Sequence, residues 1–175
     1  MDLKAHIRTI PDYPKPGIMF RDVSTLTGHA GAFQAAITQM ADPYRGQGVQ
    51  KVAGIDARGF ILGGAIACEL GAGFLPLRKP GKLPYETLSE TYDLEYGSDA
   101  LHMHTDGTGV GETVLLVDDL IATGGTAEAG VKLLRRGGAN IVGAVFLVDL
   151  PDLGGAKRIE AHGVPVTALM AFGGH

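Results

Sequence analysis

The chain has 175 residues, 45% of them hydrophobic and 19% charged, which is the size of one globular domain that can bury a single core. Its formal net charge of -4 provides no bulk attraction to nucleic acid or to an anionic membrane, so proteins that bind either through an overall basic surface are excluded. Any anion-binding site must therefore be local.

The one cysteine and the N-terminus indicate the compartment. Cys68 cannot form an intrachain disulfide and lies in the apolar run 60–68, so we expect a small buried side chain in a reducing environment. Residues 1–6 lack an apolar segment of signal-peptide length, and no stretch approaches about 18 uninterrupted apolar residues. We expect a cytoplasmic protein that neither is secreted nor spans a membrane.

The first half of the chain predicts a cap followed by a βα unit. Apolar residues at helical spacing predict a helix over 1–10 that stops at Pro11, and the three prolines of 11–16 favour a stiff extended segment as far as Asp22. We expect residues from about 10 to 28 to form a hood over another part of the molecule. The elements predicted next are a helix over 30–40, a strand over 51–56 and a helix over 58–70.

The second half predicts further strands that alternate with helices. These elements are a strand over 73–78, an exposed loop over 79–90, an antiparallel pair over 91–96 and 100–104, a strand over 113–118, a helix over 126–136, a strand over 140–148, a helix over 153–161 and a strand over 165–171. This alternation predicts an α/β fold whose sheet is mainly parallel and doubly covered by helices. Because no linker or repeat divides the chain, we expect one domain over 1–175, with a flexible, hairpin-like loop over about 79–100.

The strand over 113–118 ends in a sequence suited to a sugar phosphate. Asp118 and Asp119 arrive where the buried strand becomes a loop, which is where open α/β sheets bind ligands. The loop then opens a helix whose free N–H groups and dipole favour a phosphate, while the two carboxylates suit vicinal sugar hydroxyls. The loop residues are Ala122, Thr123, Gly124, Gly125 and Thr126.

An ordinary glycine turn and a different phosphate motif both fit this loop less well than a sugar-phosphate site does. A turn with a helix cap would account for the glycines alone, but not for their order after an apolar strand and an acidic pair. The common phosphate motifs do not match, because no lysine follows the second glycine as a P-loop requires, and 107–112 lacks the third glycine of a dinucleotide motif.

Basic residues follow two other strands at the same edge of the predicted sheet. Together they could hold a pyrophosphate, whereas the alternatives are a surface helix cation at Arg58 and a solvated turn over 78–82. The candidates are Asp56, Ala57, Arg58, Arg78, Lys79 and Lys82.

Three further positions have more than one interpretation. Glu95 lies beside the exposed loop and could either swing toward a substrate or remain an exposed strand carboxylate. His102 and His104 share a strand face, but no third metal ligand is evident, so we expect two solvated histidines. Phe20 could lie against a flat aromatic ligand or pack into the core.

The order of these segments resembles a known family. Residues 117–126 resemble the ribose-phosphate motif of type I phosphoribosyltransferases. The segments 12–22, 57–60, 78–84 and 94–97 resemble the adenine-specific branch of that family, and the likeness extends from about residue 10 to the C-terminus.

The resemblance implies the type I phosphoribosyltransferase fold and a reaction of purine salvage. In that reaction the 5-phosphoribosyl group passes from 5-phosphoribosyl 1-diphosphate to adenine, which gives AMP and diphosphate. Mg²⁺ would be held through the sugar diphosphate and by no protein ligand directly, and the protein would be a homodimer.

The resemblance also implies a role for each candidate residue. Residues 122–126 would bind the 5-phosphate, Asp118 and Asp119 the ribose hydroxyls, and Glu95 would be the general acid/base. The residues expected to face the diphosphate are Asp56, Ala57, Arg58, Arg78, Lys79 and Lys82. Those expected to hold adenine, partly through backbone groups, are Met19, Phe20 and Arg21.

Ala57 departs from the family pattern, because many members have serine there; a backbone contact to diphosphate would survive this change.

Two alternatives stay open, because the 118–126 segment recognises only the sugar phosphate. One is a phosphoribosyltransferase for hypoxanthine, guanine, xanthine or orotate. The other is a regulator that binds phosphoribosyl diphosphate without catalysis.

Overall fold

A computed structural model describes residues 1–94 and 96–174 of the chain. In chain order its main elements are β1 (Arg8–Pro11), β2 (Met19–Asp22), α1 (Ser24–Thr27), α2 (Ala30–Ala41), β3 (Lys51–Ile55), α3 (Arg58–Leu70), β4 (Gly73–Leu77), β5 (Thr87–Asp93), β6 (Ser98–His104), β7 (Thr113–Ile121), α4 (Gly125–Arg136), β8 (Asn140–Asp149), α5 (Gly155–Glu160) and β9 (Val166–Ala171). Short 3-10 helices precede β1, follow α2 and precede α5. No helix of the described part is long and apolar enough to cross a membrane.

The central sheet has five parallel strands in the order β4, β3, β7, β8, β9. Strand β7 lies in the middle and is apolar on both faces. Leu115 and Val117 pack with α2 and α3, whereas Val114 and Leu116 pack with α4 and α5. A strand between two helical layers requires apolar side chains on both faces, which explains why this segment lacks alternation. The predicted α/β fold with a doubly covered parallel sheet is confirmed.

The N-terminal segment forms a small antiparallel sheet of its own. Strands β1 and β2 pair with each other, and Arg8 donates to Asp22 from both Nε (3.0 Å) and Nη2 (2.5 Å). Asp22 also accepts from the Ser24 N–H at 2.9 Å, and the contacts with Ser24 and Arg8 lower the pKa of Asp22 to about 2. The proline-containing stretch between the strands has no helix, as its composition predicts.

The predicted helix over 1–10 is wrong. Only Leu3–His6 forms a 3-10 turn, and the chain then enters β1. Pairing with β2 supplies backbone hydrogen bonds to alternate residues of this segment, and the β-branched side chains of Thr9 and Ile10 suit a strand. The tertiary partner, which lies about ten residues further along the chain, therefore overrides the local helical spacing.

Cys68 is exposed, so the prediction of a buried cysteine is also wrong. The buried face of α3 contains Leu62 and Ile66, which point toward β3 and β7. Cys68 lies two helical turns after Ile61, which is itself 51% exposed, so both belong to the outer side of the helix. An apolar run as long as 60–68 contains both faces of a helix, and its composition alone does not separate them.

Strands β5 and β6 form the predicted antiparallel pair, with Thr87 opposite His104 and Asp93 opposite Ser98. The pair begins earlier than expected, because β5 starts at Thr87 inside the segment predicted as a loop. Tyr92, Leu101 and Met103 are buried in the same cluster as the apolar face of α4. The body of this hairpin is therefore packed, whereas most of the connection before Thr87 and the described residues of the hairpin turn are exposed.

Candidate active site

The loop over 122–126 forms a cradle at the carboxyl end of β7. Gly124 adopts φ +89° and forms the N-cap of α4, a left-handed conformation that favours glycine. With no side-chain cap at this end, the first N–H groups of the helix are available to an anion. The cradle borders a pocket of about 160 Å³ that is lined by Asp118 and residues 120–127.

The acidic pair lies beside this pocket. Asp119 is buried and accepts a hydrogen bond from Arg58 Nε at 2.5 Å, while the Asp119 N–H donates to Asp118 Oδ1 at 2.8 Å. Desolvation and then the neighbouring Asp119 charge raise the pKa of Asp118 well above its ordinary value. The pair therefore combines a carboxylate neutralised by arginine with a carboxyl group that resists ionisation.

Arg58 belongs to the first turn of α3, and its contact with Asp119 joins two strand ends of the sheet. The Asp119 hydrogen bond and charge raise the pKa of Arg58, and Asp118 and Asp22 contribute further. Asp22 lies in the hood, so its charge is felt at the carboxyl edge of the sheet. The guanidinium side chain is 57% exposed and open to an incoming anion.

A second cluster of charges forms where β4 ends. Arg78 Nε lies 3.4 Å from Asp56 Oδ2, and the Lys79 N–H donates to the same oxygen at 3.3 Å. The Arg78 guanidinium also lies over the ring of Phe60, 5.5 Å from its centroid. Ala57 follows Asp56 through a cis peptide bond and is exposed, as is Lys82 further along.

The Lys79 ammonium group faces the hairpin. Its Nζ donates to the Tyr92 hydroxyl at 2.6 Å and to Asp99 Oδ2 at 2.7 Å, and it lies 5.3 Å from the centre of the Tyr92 ring. Desolvation acts to lower the pKa of Lys79, but Asp99 and Tyr92 raise it above its ordinary value. No local pattern indicates this contact, because its three residues lie in different segments.

The hood residues Met19, Phe20 and Arg21 lie together on β2. Met19 is 41% exposed, and Phe20 meets Tyr13 edge to face at 5.1 Å. Arg21 donates to the Thr9 hydroxyl at 2.6 Å and to the Gly173 carbonyl at 3.3 Å, and its guanidinium lies over the Phe172 ring. These contacts tie the hood to the C-terminal segment and leave the outer edge of β2 without a strand partner among the described residues.

The candidate acid/base Glu95 lies outside the described residues. The strand that leads to it ends near the cradle: a methyl group added at Gly125 would lie 3.8 Å from the Asp93 carbonyl oxygen and 3.8 Å from the Tyr92 ring. The structure thus brings the end of β5 to the start of α4.

The two histidines of β6 have separate partners. His102 Nδ1 lies 3.3 Å from the Thr87 hydroxyl, and His104 Nε2 accepts from the Tyr85 N–H at 3.3 Å. In residues 1–94 and 96–174, no group of three or more His, Cys, Asp or Glu side chains is arranged to hold a metal ion.

Sequence reasoning missed a charged cluster behind the cradle. Glu128, in the first turn of α4, accepts from Arg158 Nη2 at 2.8 Å and pairs with His162 Nε2 at 2.8 Å. These two contacts lower the pKa of Glu128 to about 2. Residues 128, 158 and 162 show no common pattern in the sequence, because α5 meets α4 only in the folded molecule.

Known proteins match this chain over nearly its whole length. The family model described as "phosphoribosyl transferase domain" matches residues 24–167. An adenine phosphoribosyltransferase from Maricaulis maris is 63% identical over 174 residues, which cover 99% of both chains.

Solved structures give the same result. The crystal structure of adenine phosphoribosyltransferase from Rhodothermus marinus superposes with a TM-score of 0.91 at 50% identity, covering 97% of this chain and 96% of the other. The enzyme from Saccharomyces cerevisiae, complexed with adenine and an imino-altritol bisphosphate, has a TM-score of 0.90 at 34% identity and covers 96% of each chain.

Proposed function

The chain belongs to the phosphoribosyltransferase family and, within it, to the adenine phosphoribosyltransferases, and we propose from this premise how its residues divide the reaction. The enzyme transfers the 5-phosphoribosyl group of 5-phosphoribosyl 1-diphosphate to adenine and releases AMP and diphosphate. The observation that carries the assignment of roles is the convergence of three strand ends, β3, β4 and β7, at one edge of the sheet.

The cradle over 122–126 binds the 5-phosphate. This assignment is supported by the start of α4, which has no side-chain cap and lies beside a pocket of about 160 Å³. Free N–H groups and the helix dipole stabilise a dianion there. Asp118 and Asp119 accept hydrogen bonds from the ribose hydroxyls. A phosphate at one end and two hydroxyls at the other fix the sugar in a single orientation.

The diphosphate lies over the ends of β3 and β4. There Arg58, Arg78 and Lys82 provide positive charge, and the diphosphate approaches the backbone of Asp56 and Ala57 closely. Lys79 adds a further positive charge when its ammonium group leaves Tyr92 and Asp99. Departure of diphosphate builds positive charge on the ribose and negative charge on the leaving group. Cations fixed in advance at the leaving group lower this barrier.

Magnesium fits this arrangement as a companion of the substrate. In this proposal the ion would be held through oxygens of the sugar diphosphate and not by a protein ligand directly. Bound there, it supplies further charge neutralisation of the leaving group.

Adenine binds against the hood at Met19, Phe20 and Arg21. Because β2 pairs only with β1 among the described strands, alternate residues of β2 direct an N–H and a carbonyl away from the hood sheet. Adenine offers an exocyclic amino donor next to a ring-nitrogen acceptor, which matches such a backbone edge. Hypoxanthine reverses both groups and would leave them unpaired, which is costly in a closed site.

Glu95 accepts the purine proton as N9 attacks the ribose. This role is supported by the position of β5, whose last residues lie beside the start of α4: a methyl group added at Gly125 would be 3.8 Å from the Asp93 carbonyl oxygen. Closure of the segment after β5 would exclude water from the cation-like ribose.

Assembly and compartment also belong to this proposal. We propose a cytoplasmic homodimer. The exposed apolar side chains of Ile61 on α3 and Phe74 on β4, at 51% and 37% exposure, support the dimer. Light scattering of the purified protein measures the dimer directly, and a monomer at all concentrations would contradict it.

The assay that tests the function offers adenine or hypoxanthine separately with 5-phosphoribosyl 1-diphosphate and millimolar Mg²⁺. We expect AMP from adenine, with a kcat/KM at least about 10³-fold above that for hypoxanthine, because the unpaired groups of the wrong base are rejected. Product from hypoxanthine alone would overturn the choice of base. Binding of the sugar diphosphate with no turnover would indicate a regulator.

A further inference from the structure

Helix α5 lies directly behind the phosphate cradle. The Gly155 N–H donates to the Ala122 carbonyl at 3.1 Å, and a methyl group added at Gly155 would come within 2.5 Å of that oxygen. A methyl group added at Gly124 would come within 2.9 Å of Gly155 Cα. The two backbones are therefore in contact, and the start of α5 supports the loop from behind.

Arg158, one turn into α5, links this support to the loop itself. Its Nη1 donates to the Thr123 carbonyl at 3.4 Å, and its Nη2 donates to Glu128 Oε1 at 2.8 Å. A methyl group added at Gly125 would lie 3.8 Å from Nη1. One guanidinium thus spans the middle of the cradle and the first turn of α4.

The Glu128 carboxylate would repel a phosphate bound at the cradle, and Arg158 reduces this repulsion. Its contacts with Arg158 and His162 lower its pKa to about 2, so the carboxylate is charged at neutral pH. A negative charge in the first turn of α4 opposes the binding of a phosphate dianion to the same helix end. A cation placed between the carboxylate and the loop offsets that repulsion.

We propose that Arg158 is a positioning residue for the 5-phosphate cradle. It holds the Thr123 carbonyl on the α5 side of the loop, so that the N–H groups of 122–126 face the phosphate, and it neutralises Glu128. This inference rests on the proposed function of the cradle and adds a residue that touches the loop and not the substrate.

The test compares Arg158→Met with Lys157→Met, which removes the same charge from the neighbouring exposed position of α5. For Arg158→Met we expect the KM for 5-phosphoribosyl 1-diphosphate to rise about five- to ten-fold. This is just below the range for a lost charged hydrogen bond, because the side chain is half exposed. The KM for adenine and kcat should stay within about two-fold, because the purine and leaving-group contacts are intact. Lys157→Met should match the wild type.

Inhibition by ribose 5-phosphate and by inorganic diphosphate, measured separately, shows which part of the substrate the variant binds less tightly. In Arg158→Met the inhibition constant of ribose 5-phosphate should rise by the same factor as the KM, whereas that of inorganic diphosphate should not change. Partial unfolding would reduce active enzyme and kcat without this selective shift. Arg158→Lys, which keeps the charge, should recover part of the lost affinity.

A second substitution tests the electrostatic part. Adding Glu128→Gln to Arg158→Met removes the repelling carboxylate, so the KM for the sugar diphosphate should fall again; a KM that does not fall would overturn the neutralising role. If the wild type turns over adenine and the KM of Arg158→Met equals that of Lys157→Met, the inference is wrong while the proposed function stands. If the wild type forms no AMP, the proposed function itself fails.

Discussion

Under the proposed function, the contact between Arg58 and Asp119 would be exchanged for contacts with the substrate. In the structure Arg58 neutralises the buried Asp119 carboxylate, and the acidic pair raises the pKa of Asp118. Ribose hydroxyls and diphosphate would replace this internal contact, with the hydroxyls meeting the carboxylates and the phosphates meeting Arg58. The internal contact would then hold these charged groups close to the positions proposed for them before the substrate binds.

Glu95→Gln tests the acid/base assignment at the scale of one residue. The amide keeps the size of the side chain but cannot accept a proton, so we expect kcat to fall about 10²- to 10⁴-fold, the usual contribution of general acid–base catalysis. KM values should change little, and the measurement is steady-state AMP formation. The matched carboxyl-to-amide change at exposed Asp106 should have no effect, and a Glu95→Gln enzyme with wild-type kcat would remove Glu95 from the mechanism.

At the scale of elements, the site depends on how closely α3 approaches β3. A methyl group added at Gly54 would come within 2.6 Å of the Gly59 carbonyl oxygen and 2.7 Å of the Phe74 ring. The absence of a side chain at Gly54 lets the first turn of α3, which carries Arg58, lie over the sheet edge. The hydrophobic patterns of β3 and α3 predict each element separately. The close approach of their backbones becomes evident only when the two elements pack together.

Gly54→Ala should therefore separate the two elements. We expect the free energy of unfolding to fall by about 2–3 kcal/mol, the cost of overpacking against a backbone atom, and the KM for the sugar diphosphate to rise as Arg58 moves. Urea unfolding measures the first effect and steady-state kinetics the second.

Gly64→Ala on α3 is the control, because no atom lies within 4 Å of the added methyl group. Alanine is the better helix former, so this variant should be unchanged or more stable by about 0.5–1 kcal/mol. Equal stability of Gly54→Ala and Gly64→Ala would contradict the close-packing argument.

At the scale of the whole molecule, two carboxylates with lowered pKa values link separate elements through their hydrogen bonds and ion pairs. Asp22 joins the hood strands to α1, and Glu128 joins α4 to α5, each with a pKa of about 2. A carboxyl group whose pKa is lower in the folded state than in the unfolded state stabilises the fold. The stabilisation is complete when the pH is above the ordinary pKa, which is 3.8 for Asp22 and 4.5 for Glu128. This stabilisation is lost as the pH falls from those values through about 2.

Acid unfolding measures this contribution. We expect the free energy of unfolding to decrease between about pH 4.5 and 2, with Glu128 contributing about 1–2 kcal/mol after allowance for solvent screening. Glu128→Gln should be less stable than the wild type at pH 7 and should show a shallower decline over this range. Parallel curves for the two proteins would mean that Glu128 makes no contribution from its ion pairs.

The sequence by itself determined the order of the main elements from residue 30 onward, the parallel sheet and the glycine loop at the end of β7, because each depends on local patterns: runs of apolar residues, glycines at a turn and an acidic pair at a strand end. Only the tertiary structure decided that residues 8–11 form a strand, that Cys68 is exposed, that Lys79 faces Tyr92 and Asp99, and that Arg158 donates to the Thr123 carbonyl. These features join residues that are distant in the chain or select one face of a helix. They follow from which surfaces meet when the elements pack, and no local pattern contains that information.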